Sequence, residues 1–242
     1  MRYFTKEWYN DTLVAEMCFN LRKTEKAGAF SDKFFEKLYE TEEKAYLKYA
    51  KRAARITRKA FDVTVAKAEF ASTYEENLAF VKKNLPEEIL SEIKDVRVLA
   101  LGSVTYEMAD RITRYCGRIN NKCEQAKRQY DEATDVTVDR MGGSIPPLYA
   151  EIVGVPVASC SVSDGTVIIT TSHEYTGVTV KITLTDAELT ETDENIVGSI
   201  ISEYELLPFS EDKMEFSILA VSEDSSLHTV TAVGKTVDIE EI

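Results

Sequence analysis

Met141-Gly142-Gly143-Ser144-Ile145-Pro146-Pro147 separates two kinds of sequence. Before it, residues 1–140 hold 26 of the 29 Lys and Arg and 24 of the 42 Asp and Glu, a net +2. From Met141 onward there are three basic and 18 acidic residues, so nearly all of the chain's net −13 lies in its last 102 residues. β-Branched residues change at the same place: Val, Ile and Thr make up 25 of the first 140 residues but 34 of residues 148–242. Two glycines and two prolines within seven residues interrupt any regular period. The reading is α+β, with an N-terminal helical bundle over 1–140, a linker over 141–147 and a C-terminal antiparallel β-sheet or sandwich over 148–242.

Helical periodicity fills the first part. A first helix is expected from Thr5 to about Arg22, followed by a loop around Gly28. Ser31 or Asp32 then caps a long second helix whose Phe35, Leu38, Tyr46, Tyr49, Ala53 and Ile56 share one face. Asp62 opens a third helical stretch, carrying Ala66, Phe70, Tyr74, Leu78 and Val81. Asn84-Leu85-Pro86-Glu87-Glu88 starts a fourth, read as continuing through Ile89, Ile93, Val96 and Ala100 to a glycine cap at Gly102. Val96–Leu101 also fits a strand by β-branching, but a lone strand in a helical half has no partner, so helix is preferred. Met108, Ile112, Tyr115, Ile119, Cys123, Ala126 and Tyr130 then hold three- and four-residue steps, with Arg111, Arg114, Arg118 and Lys122 opposite; that helix is expected to end before Thr137.

From Leu148 the period becomes two. Val178, Val180, Ile182 and Leu184 alternate with Thr179, Lys181 and Thr183, and Asp164-Gly165 marks a hairpin between 157–162 and 166–170. Further strands are expected at 195–201, 203–209, 213–221 and 227–233. About seven short strands in all suggest a sandwich or a curved sheet.

The opening Met1-Arg2-Tyr3-Phe4-Thr5-Lys6-Glu7-Trp8-Tyr9 and the block Asp95-Val96-Arg97-Val98-Leu99-Ala100-Leu101-Gly102 resemble the signatures of an uncharacterised bacterial protein family, a domain of unknown function. The resemblance covers roughly the first 130 residues. Members of that family often carry a His-Asp pair where the β half begins, whereas this chain has Leu148-Tyr149-Ala150-Glu151. The family implies the two-part layout and no known activity.

Hydrophobic residues at 44% and charged residues at 29% are those of a globular chain. Cys18, Cys116, Cys123 and Cys160 are spaced too irregularly for a disulfide framework or a zinc site and fit a reducing, cytoplasmic compartment. The charged start shows no signal peptide, and Ile152–Cys160 is too short to span a bilayer. An acidic chain is repelled from nucleic acid and anionic lipid at long range, so neither nucleic acid nor membrane is the expected partner.

No phosphate-binding glycine loop, His-Glu-x-x-His, Gly-x-Ser-x-Gly or Cys-x-x-Cys occurs. No catalytic, cofactor-binding or metal-ligating residue is therefore assigned, and no cofactor is expected. His228, beside Val230 and Ala232 on one strand face, reads as a satisfied half-buried histidine. His173 with Glu174 is two ligands at most. Cys116 and Cys123 share a helix face with Ile112 and Ile119 and read as core. Asp186, Glu188, Glu191, Asp193 and Glu194 crowd one predicted loop but lack EF-hand spacing, so a solvated turn is expected in preference to a calcium site.

Lys48, Lys51, Arg52, Arg55, Arg58 and Lys59 form a basic stripe. It has the footprint of phosphate contacts, yet Glu36, Glu40 and Glu43 precede it, so ion pairing along the helix or docking on the chain's own acidic half accounts for it better. The function expected is that of a non-catalytic cytosolic interaction protein presenting an acidic β surface to a basic protein partner. The alternative is an enzyme in which Glu151 or Glu205 meets Arg97 or Arg114 in a cleft between the halves.

Overall fold

The computed structural model describes residues 1–142, 145–172 and 177–242. Seven α-helices and ten strands follow one another among these residues. Helix α1 (Lys6–Glu16) leads into a 3-10 turn at Met17–Asn20 and a two-residue strand, β1 (Arg22–Lys23). Helices α2 (Asp32–Ile56) and α3 (Val63–Asn84) come next, then two short helices, α4 (Glu87–Leu90) and α5 (Val96–Ala100). Strand β2 (Ser103–Val104) precedes the long α6 (Tyr106–Arg140) and the one-turn α7 (Leu148–Glu151). The remaining elements are β3 (Val157–Ser163), β4 (Thr166–Ser172), β5 (Thr179–Thr185), β6 (Glu188–Thr192), β7 (Ile200–Pro208), β8 (Met214–Val221), β9 (Leu227–Gly234) and β10 (Thr236–Glu241). The fold is α+β, with helices in the N-terminal half and antiparallel sheets in the C-terminal half.

Contacts divide the chain into two compact units, one of Leu13–Asn120 and one of Met1–Thr12 with Asn121–Ile242. The compositional break at 141–147 therefore lies inside the second unit, and the divisions fall within α1 and α6.

In the unit of Leu13–Asn120, the caps follow the sequence signals. The Ser31 hydroxyl accepts from the Phe34 amide, and the Asp62 carboxylate accepts from the Thr64 and Val65 amides. Two clusters fill the unit. One joins Val81, Leu85, Ile89, Leu99, Ile112 and Cys116. The other sets Phe70 and Tyr74 of α3 against Phe35, Tyr39 and Tyr46 of α2.

Three expectations change here. The first helix stops at Glu16, because the chain turns to pair Arg22 and Lys23 in parallel with Ser103 and Val104. The fourth helix does not run on to Gly102; it ends after Leu90, and Asp95 caps a new start through the Arg97 amide. Val96–Ala100 is helical, and Gly102 follows it at φ +75, a left-handed geometry that suits glycine. The last long helix runs past Thr137 to Arg140.

In the other unit, eight strands form two four-stranded antiparallel sheets, ordered β10-β5-β4-β3 and β6-β9-β8-β7. Their facing sides bury Ile169, Ile182, Leu184, Phe216 and Ile218 completely, each side chain contributing about 2 kcal/mol. Asp164 and Gly165 turn the β3–β4 hairpin with φ +48 and +70, the left-handed pair its sequence demands.

The acidic run at 186–194 is a strand and its flanks, not a single solvated turn: Glu188–Thr192 pairs with β9 at the sheet edge, where every residue of the strand but Leu189 is exposed. Of the expected strands at 195–201 and 203–209, residues 195–199 form turns and no strand, while Ile200–Pro208 is one strand, β7, with a bulge between Ile201 and Glu203. The outer side of this sheet is covered by residues from the start of the chain and the end of α6. Phe4 packs on Tyr130 at 4.8 Å between ring centroids, and the buried Thr137 hydroxyl donates to the Leu206 carbonyl.

Candidate functional site

A groove of about 690 Å³ opens in the β unit where Val153–Pro156, the first residues of β7 and the end of β8 meet Tyr9 of α1. Its floor is fixed by backbone bonds between non-neighbouring segments. Gly154 N–H donates to the Ile201 carbonyl at 2.7 Å, Ile201 N–H to Val155 at 3.0 Å, and Val157 N–H to Ser199 at 2.9 Å. Gly154 and Gly198, at φ +83 and +87, turn the chain into and out of this pairing. The exposed apolar side chains are Val153, 42% accessible, and Ile200, 50% accessible. Among the described lining residues Glu223 is the one acid, and none is basic.

Beside the groove lie a serine, a histidine and an aspartate in contact. The Ser222 hydroxyl is within hydrogen-bond distance of Asp224 Oδ1, of the Ser226 carbonyl at 3.1 Å and of His228 Nε2 at 3.2 Å. Asp224 also accepts the Ser226 amide at 3.0 Å, and these bonds to Ser222 and Ser226 hold its carboxyl below the usual carboxylate range. The hydroxyl has one proton for three neighbours, two of which only accept, so the direction of the Ser222–His228 bond follows the histidine tautomer. The trio locks the Ser222–Ser226 turn, and His228 is half-buried and hydrogen-bonded there.

Asp193 stands on the other flank of His228's strand. It accepts from Lys6 Nζ at 2.9 Å and from the Thr229 amide at 2.7 Å, which depresses its pKa. Glu203, on β7, is the opposite case: burial pushes its carboxyl up, and Lys127 only partly offsets that. Its half-buried position comes from the bulge, which the sequence does not signal.

The other residues singled out by the sequence have settled roles. Glu205 is buried, and its two oxygens accept three backbone amides, from Arg2 at 2.7 Å, Tyr3 at 2.7 Å and Phe4 at 2.6 Å. Glu151 is exposed in the same unit. Arg97 belongs to the other unit, where it clasps Asp95 through Nε at 2.9 Å and Nη2 at 2.8 Å. Its guanidinium carbon lies 4.5 Å from the ring centres of both Phe30 and Phe35. Arg114 is exposed and donates to the Asp110 carbonyl.

Cys116 is buried beside Cys18, and burial, aided by Cys18, pushes its thiol up to about 12. Cys123 is buried in the other unit, so the two cysteines of one predicted face serve different cores. All four cysteines are free thiols. No group of three or more potential metal ligands occurs among the described residues, and His173 and Glu174 lie outside them.

The helical unit has a cleft of about 610 Å³ lined by Leu13, Met17, Phe70, Tyr74, Phe80 and Leu101, among others. Arg22 is at its edge, with its guanidinium committed to Glu42 and to the Leu101 carbonyl. No described helix is long and apolar enough to cross a membrane. The chain matches no protein-family model, no curated protein and no solved structure.

Proposed function

We propose that this chain is a non-catalytic cytosolic interaction protein whose β unit binds a basic protein partner through the groove at Val153, Ile200 and Glu223. The observation that carries the reading is a match between apolar relief and charge. The β unit holds 25 acidic against nine basic residues. Its groove offers exposed aliphatic side chains next to a carboxylate that has no ion pair among the described residues. A segment carrying an apolar anchor beside Lys or Arg complements both features. In the enzyme alternative, Glu205 and Arg97 are each engaged by partners within their own unit, while Glu151 and Arg114 are exposed.

The test is calorimetric titration with a peptide of alternating leucine and lysine, and with its leucine-to-serine counterpart. Binding of the first alone is expected, weakening with salt and dropping by about tenfold or more in Ile200→Asp, a change equivalent to about 1.4 kcal/mol. Equal binding of both peptides, or no effect of Ile200→Asp, would remove the groove from the account.

A further inference from the structure

We propose that the tip of the α2–α3 hairpin is an anchoring surface for anionic lipid headgroups. Residues 47–68 contain seven Lys and Arg and one acid, in a chain whose net charge is −13. That acid, Asp62, is engaged as the α3 cap. Lys48, Lys51, Arg52, Arg55, Arg58 and Lys59 are all exposed and make no ion pair or hydrogen bond through their side chains among the described residues. The three glutamates nearest to them on α2 are used elsewhere: Glu40 pairs with Lys44, Glu43 with Lys67 and Glu42 with Arg22. Pairing along the helix therefore does not account for the stripe.

Apolar side chains share the same tip. Tyr49 and Ile56 are each 71% accessible, and Val63 and Val65, in the first turn of α3, are 50% and 54% accessible. At about 100° per residue, Lys48, Arg52 and Arg55 fall in one narrow band of α2, and Arg58 and Lys59 follow just past its end. Tyr49 and Ile56 fall together beside it, between the cations and the packed side marked by Tyr46. Singly exposed apolar residues are ordinary, whereas four at one end of a hairpin among six unpaired cations form a patch.

A patch of this composition fits a charged interface with an oily layer beneath it. The cations meet lipid phosphates and carboxylates while the aliphatic groups and the Lys and Arg stems enter the headgroup region. Three of the four exposed apolar side chains are aliphatic and offer no flat face for base stacking, which favours lipid over nucleic acid. The acidic charge elsewhere in the chain is screened beyond about 8 Å at physiological ionic strength, so the local charge governs contact.

Vesicle flotation of the full chain tests this, with phosphatidylcholine alone, phosphatidylcholine containing about a third phosphatidylserine, and a duplex DNA retention assay alongside. Binding to the phosphatidylserine vesicles only, abolished by high salt, is expected. Neutralising Arg52, Arg55 and Lys59 to Gln lowers the apparent affinity on the order of a hundredfold. Ile56→Asn leaves the charge intact and lowers it about fivefold. All four are exposed positions, and circular dichroism confirms that the variants fold. Absence of phosphatidylserine-dependent binding overturns the proposal, as does vesicle binding that neither variant alters. DNA retention lost in the triple variant but unchanged in Ile56→Asn, without vesicle binding, assigns the cations to nucleic acid instead.

Discussion

Gly234 lies so close to Thr185 that a β-carbon added to it would stand 3.0 Å from the Thr185 carbonyl oxygen and 2.9 Å from the Ala187 β-carbon. This is the corner where the chain passes between sheets twice, from β5 to β6 and from β9 to β10. The Lys235 amide closes it by donating to the same Thr185 oxygen at 2.8 Å.

Gly234→Ala is therefore expected to cost about 1–3 kcal/mol, through backbone displacement at the corner. Gly165→Ala is the control. Gly165 has open space around it and φ +70, so only the left-handed strain of about 1–2 kcal/mol applies. Urea titrations of the two variants measure the costs; free accommodation of a methyl group at 234 would contradict the packing described.

Glu205 is expected to be among the most sensitive carboxylates of the β unit. Replacing it with Gln puts an NH₂ group where backbone amides already donate. Replacing it with Ala leaves up to three amides without their acceptor. Either change is expected to lower stability by about 3 kcal/mol. Deleting residues 1–4 strands the carboxylate instead. Combining that deletion with Glu205→Ala should cost less than the two separate losses added together, and a double-mutant cycle in chemical denaturation reads the coupling.

Much of this was legible from single residues, because short-range chemistry specifies it. Ser31 and Asp62 cap helices, Asp164-Gly165 makes the tight hairpin, and the alternation around Ile182 faces a core. What escaped depends on distant partners. Nothing local says that Arg22-Lys23 meets Ser103-Val104. Nor does anything local say that Glu188–Thr192, acidic enough to read as a turn, has an edge position on β9. The groove was hidden for the same reason, since its walls come from residues 9, 153–156, 198–202 and 221–223.

The thiols give a chemical test of the interior. With its pKa pushed up to about 12, Cys116 carries almost no thiolate at pH 8, and burial denies reagents access to it. Alkylation of the native protein at that pH, followed by peptide mass spectrometry, is expected to leave Cys116 and Cys123 unmodified. Both should react once denaturant is added.

Asp193 sets part of the acid response. Lys6 and the Thr229 amide favour its charged form, so its folded pKa lies below the ordinary value of 3.8. Its contribution is present at neutral pH and fades as pH falls through that depressed value. Lys6 and Asp193 side chains are 44% and 37% accessible, so screening keeps their ion pair below about 1 kcal/mol. Asp193→Asn should lower stability slightly at pH 7 and leave it nearly unchanged once pH has fallen below the depressed folded value. An identical pH profile for the two proteins would exclude the linkage.

The clasp of Glu205 on the amides of residues 2–4 joins groups 201–203 positions apart in the chain, so the amides are made long before their acceptor. Residues 1–12 leave the ribosome before the rest of their unit, which resumes at Asn121. The segment Leu13–Asn120 can gather its own core while the chain is still being extended. The opening residues must wait for β7 before their amides find an acceptor, so a nascent chain halted at residue 200 should hold a protease-resistant helical portion and a cleavable amino end.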